Sequence, residues 1–456
     1  MTDLSFPPGF LWGAATASYQ VEGGVAEGGR GPSIWDTFAA VPGKVLDGTS
    51  GEVACDHYHR YASDVGMLAD LGLGAYRFSV AWPRVMPDGR TTSAAGLGFY
   101  DRLVDELLRR DVVPVLTLYH WDLPQALEDA GGWPSRDTAF RFAEYAAVVH
   151  KALGDRVNQW TTINEPFCAA FLGYGSGVHA PGVQDHDTAL VAAHHLLLGH
   201  GLAVRALAGQ AGHEFSLALN FAPAVPDGSS PAHLEAARKF DGIHNRFFLD
   251  PVLGRGYPAD VLADVSHHGG RFAASVRDGD TDVIAAAIDW LGVNYYAPAR
   301  VTPLADPLAR SNCPLPGLRG LDVLPAPGPL TAFGWEQAPA TLTSLLSWVS
   351  GRSGGLPLVV AENGASFVDE VTDGRVFDAA RVNYFLEHLR AVHDAIRAGV
   401  DVRGYFAWSL LDNFEWAMGY SQRFGLVHVD FETQARTVKE SGRFLGRVAK
   451  ANALPD

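Results

Sequence analysis

The sequence predicts an α/β protein, a single-domain (β/α)8 barrel of the TIM type with long βα loops, and three observations carry that reading. Short apolar runs rich in β-branched and aromatic residues alternate with longer stretches of helical period, the order of βα units in a parallel sheet. Eight such runs can be marked, the number that closes a barrel. No Ser/Pro-rich linker or break in composition divides the 456 residues, so residues 1–456 read as one domain.

The apolar runs cover residues 10–20, 75–82, 112–120, 159–166, 215–220, 289–296, 357–364 and 402–410. Among the intervening stretches, residues 97–110, 138–153, 188–208 and 379–398 carry charges on one side and Leu, Val or Phe on the other, the pattern of helices laid against a core. The segment 297–339, rich in Pro, Leu and Gly, is the least regular and reads as an ordered surface loop, with a mobile lid as the alternative.

Composition narrows the partners. Apolar residues make up 47% of the chain, enough for a sizeable core. A net charge of −16 repels nucleic acid and anionic membrane, so neither is expected as a partner, and a neutral small molecule suits that field. The three cysteines, Cys55, Cys168 and Cys313, are too few and too scattered for a disulfide framework or a metal knuckle, which points to a reducing compartment. The N-terminal residues have neither the basic nor the apolar region of a leader, and no uninterrupted apolar stretch has the length of a bilayer span. A cytoplasmic protein is therefore expected. The densest His groups, Asp56-His-Tyr-His59, His194-His195 and His267-His268, lack zinc-site spacing, and no phosphate-cradling glycine loop occurs. No metal and no cofactor is expected, and His57 and His59 read as residues that stabilise the first helix. Oligomeric state leaves no mark in the sequence.

A closed parallel barrel presents its reactive groups at the C-terminal strand ends. Here the runs end in Gln20, Trp82, His120, Asn164-Glu165, Asn220, Tyr296, Glu362-Asn363 and Trp408, so polar and aromatic groups converge on one rim. Glu165 and Glu362 close the fourth and seventh runs, which face each other across an eight-stranded mouth. Either glutamate alone reads as the partner of an arginine. Two at opposing ends, each beside an Asn, can flank one bond, with a proton donor on the leaving oxygen and a carboxylate at the anomeric carbon. Gln20, His120, Asn164 and Glu415 offer planar polar groups for adjacent hydroxyls, and Trp121, Trp408 and Trp416 offer apolar platforms for the C–H faces of a sugar.

These residues fall in a series of motifs that resembles glycoside hydrolase family 1, the β-glucosidase family, along essentially the whole chain. The series runs Phe10-Leu-Trp-Gly-Ala-Ala-Thr-Ala-Ser-Tyr-Gln20, Tyr76-Arg-Phe-Ser79, Thr117-Leu-Tyr-His-Trp-Asp-Leu-Pro124, Asn164-Glu-Pro166, Asn294-Tyr-Tyr296, Glu362-Asn-Gly364 and Trp408-Ser-Leu-Leu-Asp-Asn-Phe-Glu-Trp416. The resemblance implies a retaining β-glycosidase, with Glu165 as acid/base and Glu362 as nucleophile. It implies that Arg77 and Tyr296 hold and tune the nucleophile, and on chemical grounds Arg77 should lower the pKa of Glu362 while Glu165 keeps its proton. Gln20, His120, Asn164, Glu415 and Trp416 would bind the glycone with Trp408 beneath it, Trp335 would face the aglycone, and Cys168 and His179 would lie near the entrance. The implied partner is a small β-glycoside or short oligosaccharide, most simply a β-glucoside or a cellooligosaccharide.

Two departures touch rate and leaving-group preference. Ala361 stands where the family usually has Thr, and Gln337-Ala338 where it has Ile or Val followed by Tyr. A 6-phospho-β-glycosidase is disfavoured, because Glu415 would repel a phosphate dianion and no Lys occurs between Lys239 and Lys439. A non-catalytic sugar-binding barrel is disfavoured because both carboxylates are present.

Overall fold

The computed structural model describes residues 4–267 and 270–455, so His268 of the His267-His268 pair lies outside the described residues. Eight parallel strands close into a barrel: β1 (Leu11–Ala15), β2 (Ala75–Ser79), β3 (Val113–Tyr119), β4 (Gln159–Asn164), β5 (Glu214–Phe221), β6 (Trp290–Tyr295), β7 (Leu358–Asn363) and β8 (Val402–Trp408). Each strand pairs with its sequence neighbours, and β1 pairs with β8 from Leu11↔Gly404 to Ala15↔Trp408. All eight fall within or against the apolar runs of the sequence. Their interior is close-packed: a Cβ on Gly13 would lie 2.5 Å from the Phe406 ring and 2.7 Å from the Ala75 carbonyl oxygen.

One principal helix follows each strand: α1 (His57–Leu71), α2 (Ala94–Arg109), α3 (Arg136–Leu153), α4 (His186–Leu207), α5 (Pro231–Asp241), α6 (Pro339–Ser353), α7 (Ala379–Arg397) and α8 (Glu440–Ala451). Local chemistry sets their ends and faces. Ser93 accepts from Gly96 N to cap α2, whose buried Phe99, Tyr100, Leu103, Val104 and Leu107 follow the three-to-four-residue spacing of one face. His57 Nδ1 meets Asp64 Oδ2 at 2.8 Å inside α1, and His59 meets Asp56 and Glu27, so both His residues serve the first helix as expected. Helix α4 is an exception to the expectation drawn from hydropathy. It is long and apolar enough to cross a membrane by length and composition, and 83% of its most apolar window is buried inside the fold.

Two expected strand ends are corrected. Run 10–20 leaves the sheet at Ala15, and Gln20 sits in a single helical turn, Ser18–Val21, which is anchored where Ser18 N donates to Ser79 Oγ and Ser18 Oγ to Asp122 Oδ2, both at 2.7 Å. Trp82 opens the short helix Trp82–Val85 and stacks on Tyr145 with centroids 4.9 Å apart, which places it in the core between barrel and helices instead of on the rim. Segment 297–339 is ordered and partly sheet: Ala299–Pro303 pairs with Ala224–Pro226 and Leu321–Val323, and Arg300 clamps Glu336 at 2.7 Å.

Candidate active site

The pairing register slips at both glutamate-bearing ends. Between β4 and β5 it shifts after Thr161, and between β6 and β7 it shifts between Val360 and Glu362. Such bulges re-aim the side chains beyond them, here into the barrel mouth. Glu165 follows with φ of 47°, and Trp121 and Trp416 take φ of 74° and 49°. Left-handed backbone at non-glycine residues costs of order 1–3 kcal/mol each and persists where the surroundings fix it. Three such residues meet at one cavity.

That cavity has a volume of about 390 Å³ and opens at the C-terminal strand ends. Its wall includes His120, Trp121, Glu165, Cys168, His179, Tyr296, Trp335, Glu362, Trp408, Glu415 and Trp416 from the sequence reading. Gln20, Arg77 and Asn164 stand behind that wall, essentially fully buried. Sequence reasoning assigned no role to Phe167, Leu172, Val178, Phe333, Ala417, Met418 and Phe424, which add apolar surface to the cavity, nor to Asn294. The Asn294-Tyr-Tyr296 motif at the end of β6 was the available signal for Asn294.

One hydrogen-bonded network joins the two glutamates. Arg77 Nη1 donates to Glu362 Oε1 at 2.6 Å, and Tyr296 donates its hydroxyl to Glu362 Oε2 at 2.7 Å. Arg77 Nη2 donates to Asn164 Oδ1 at 2.6 Å, and Asn294 Nδ2 donates to Glu165 Oε1 at 2.7 Å. Gln20 Nε2 donates to Asn413 Oδ1 and the Phe414 carbonyl, both at 2.9 Å, and lies 3.5 Å from Glu415 Oε2. Trp121 Nε1 donates to the Asn164 carbonyl at 2.9 Å.

Burial and the charge of Glu362 push Glu165 up to about 8, and the hydrogen bonds from Asn294 and Cys168 oppose the rise. Burial also lifts Glu362 above the ordinary carboxylate range, against the charge and hydrogen bond of Arg77. The expectation that Arg77 depresses Glu362 outright is thereby corrected, because desolvation outweighs the guanidinium in the unliganded site. What separates the two is contact: Glu362 touches a cation and Glu165 touches none. Glu415 is pushed up to about 8 by burial and by both glutamates, and burial holds His120 well below its usual value and so neutral. Among the described residues no three His, Cys, Asp or Glu side chains group as a metal site.

Comparison with known proteins places this geometry. The sequence model of Glycosyl hydrolase family 1 matches residues 2–454. The thermostable beta-glucosidase B of Thermobispora bispora is 50% identical over 99% of this chain and 92% of its own. The bifunctional beta-D-glucosidase/beta-D-fucosidase of Bifidobacterium breve is 47% identical over 96% of each. Among solved structures, the psychrophilic beta-glucosidase BglU of Micrococcus antarcticus superposes with a TM-score of 0.95 at 47% identity, covering 99% of this chain and 100% of that one. The family 1 b-glucosidase of Thermotoga maritima superposes at 0.94 with 40% identity over the full length of both, and has been solved with deoxynojirimycin and with isofagomine lactam. A closed barrel with two glutamates at the ends of β4 and β7, matched over nearly its whole length by that family, belongs to glycosyl hydrolase family 1 and is a retaining β-glycosidase.

Proposed function

We propose that the enzyme removes terminal non-reducing β-D-glucosyl residues from β-glucosides or cellooligosaccharides, with Glu165 as acid/base and Glu362 as nucleophile. The observation that carries the reading is the unequal setting of two neighbouring carboxyls: Glu362 accepts from Arg77 and Tyr296, whereas Glu165 has only neutral donors and a pKa raised to about 8. A carboxyl of that kind holds its proton at neutral pH, and one beside a guanidinium gives up its proton first. In the first step the Glu165 proton passes to the glycosidic oxygen as the C–O bond breaks toward it, and a Glu362 oxygen bonds to the anomeric carbon. In the second, Glu165 takes a proton from water, which attacks that carbon and frees Glu362.

Glucose as glycone is supported by the names of the relatives, and a ligand of that class by the two Thermotoga maritima complexes. Gln20 Oε1 and His120 Nδ1, buried without a partner among the described residues, are positions that hydroxyl groups can satisfy. We assign Gln20, His120, Asn164, Glu415 and Trp416 to the glycone, Trp408 and Trp121 to its apolar faces, and Trp335, Cys168 and His179 to the aglycone side. Three unpaired cysteines support a reducing, cytoplasmic setting.

The two glutamates separate by chemistry. Glu362→Gly is expected to lose hydrolysis by roughly 10⁴-fold or more and to regain turnover with azide through an α-glycosyl azide. Glu165→Ala is expected to keep glycosylation by a dinitrophenyl β-glucoside, to yield a β-glycosyl azide, and to lose the alkaline limb of kcat/KM near pH 8. Azide products of the opposite configuration reverse the roles.

A further inference from the structure

The network around Glu165 fixes more than the position of its carboxyl. Arg77 has donors only, so its Nη2 turns the oxygen of Asn164 toward itself at 2.6 Å and leaves the Asn164 amide nitrogen facing His120 Nε2 at 3.0 Å. Asn294 approaches the same Asn164 oxygen at 3.0 Å. Two amide oxygens cannot face each other there, so Asn294 presents its NH2, whose second hydrogen reaches Glu165 Oε1 at 2.7 Å. Flipping Asn294 would set its Oδ1 against acceptors on both sides. Glu165 Oε1 is therefore an acceptor by construction, the role of the carbonyl oxygen in a carboxylic acid.

The other oxygen meets a different neighbour. Glu165 Oε2 lies 3.1 Å from Cys168 Sγ, at the start of the π-helical segment Cys168–Ser176. A thiol is a weak donor and a weak acceptor. It can donate to the ionised carboxyl and receive the hydrogen of the protonated one without binding either tightly.

We propose that Arg77, acting through the amides of Asn164 and Asn294, makes Oε2 the proton-bearing oxygen of Glu165, with Asn294 and Cys168 as positioning residues for that proton. The same guanidinium thus touches the nucleophile and sets the tautomer of the acid. In the reaction the Oε2–H bond breaks, the proton joins the glycosidic oxygen that receives the electron pair of the cleaved C–O bond, and Glu165 is left as a carboxylate. This rests on Glu165 being the acid.

Infrared difference spectroscopy at about pH 6, below the titration of Glu165 near 8, reads the tautomer directly. The C=O band of protonated Glu165 is identified by its disappearance in Glu165→Gln. With Oε1 as the carbonyl, that band rises in frequency in Asn294→Ala, where the donor is lost, and stays in place in Cys168→Ala. A band that moves in Cys168→Ala as much as in Asn294→Ala, or that does not move in Asn294→Ala, overturns the proposal. Should Asn294→Ala not fold, Asn294→Ser gives the same reading. In kinetics, Asn294→Ala is expected to lower kcat/KM about tenfold more for an alkyl β-glucoside than for a dinitrophenyl β-glucoside, since only the former needs the proton. An equal loss on both counts against a role in placing it. Because the infrared band does not depend on turnover, a Glu165→Ala enzyme that keeps its full rate on alkyl β-glucosides would remove the acid assignment and leave the tautomer to be judged separately.

Discussion

Two buried polar clusters lie a few residues apart in this fold and are built on opposite principles. The first ties the loops after β7 and β8 to the starts of α7 and α8. Lys439 Nζ binds Asp369 and Asp412 at 2.6 Å each, Arg381 binds Asp369 at 2.9 Å and also Asp378, and Arg423 binds Asp412 at 2.7 Å. Three cations meet three carboxylates, and no buried side-chain atom of these six lacks a partner. The second is the proposed catalytic network, where among the described residues Arg77 bonds to Glu362 alone of the three carboxyls Glu165, Glu362 and Glu415, and Gln20 Oε1, Arg77 Nε, His120 Nδ1 and Asn294 Oδ1 have no partner. The pKa values follow the charge balance. Burial would raise Asp412, but Lys439 and Arg423 more than offset it and hold it below the ordinary range, whereas Glu165 and Glu415 rise to about 8. A buried cluster that is balanced and satisfied holds loops in place. One left acidic and incompletely bonded is completed by a ligand.

The sharpest way to break this contrast is to unbalance the satisfied cluster. Lys439→Met leaves Asp369 and Asp412 facing each other without their shared cation, and removing one partner of a buried ion pair typically costs about 3–5 kcal/mol. We expect a large fall in thermal midpoint, with kcat/KM per folded molecule within a few-fold of wild type well below that midpoint. The cluster flanks the loop bearing Glu415 and Trp416, so a loss of kcat/KM with an unchanged midpoint would mean that it serves the site and not the fold.

The next effect belongs to the acidic cluster and has a defined sign. Glu415 titrates near 8 in the folded protein against an ordinary value of 4.5, so the folded state binds its proton more tightly than the unfolded chain does. Its contribution to stability is complete below pH 4.5 and is lost as pH climbs through 8, at up to ~1.4 kcal/mol per pH unit for an independent group. Glu165 acts in the same direction. Because the three carboxyls share their field, we expect the unliganded enzyme to lose about 1–3 kcal/mol between pH 5 and 8 through Glu415, and Glu415→Gln to flatten that slope. Denaturant midpoints across that range measure it, and a slope unchanged in Glu415→Gln would show that Glu415 is ionised throughout.

How far each cluster could be read in advance differs for a physical reason. The eight strands, α2, α3, α4 and α7, and both glutamate positions follow from hydrophobic period and from the rule that barrel chemistry sits at C-terminal strand ends. Gln20 was placed at the rim without the turn that carries it, because that turn depends on Ser18 reaching Ser79 and Asp122 from distant parts of the chain. Trp82 reads as a rim aromatic by spacing alone, and only packing against Tyr145 turns it inward. The satisfied ion cluster left no trace in the sequence. Its members, residues 369, 378, 381, 412, 423 and 439, belong to four loops and helix starts, and a charged residue there reads as solvated until the fold buries it. Asn294 stood in a quoted motif, but its role needs the Asn164 oxygen fixed by Arg77, a relation no periodicity encodes.

The smallest expected effect tests where the acidic cluster ends. Trp335 stacks on Phe333 with centroids 4.2 Å apart and lies 5.1 Å from Tyr296, whose hydroxyl donates to Glu362. If Trp335 serves only as aglycone wall, Trp335→Ala removes an aromatic contact worth about 0.5–1.5 kcal/mol, and kcat/KM for aryl β-glucosides and cellobiose falls roughly three- to tenfold. The second step must then be untouched, because the aglycone has left before the glycosyl-enzyme meets water. With a dinitrophenyl β-glucoside, where that step limits turnover, kcat should match wild type while KM rises. A kcat that falls along with kcat/KM on this substrate would instead mean that Trp335 acts through Tyr296 on the Glu362 carboxylate, and the boundary between the apolar wall and the catalytic network would move outward by one residue.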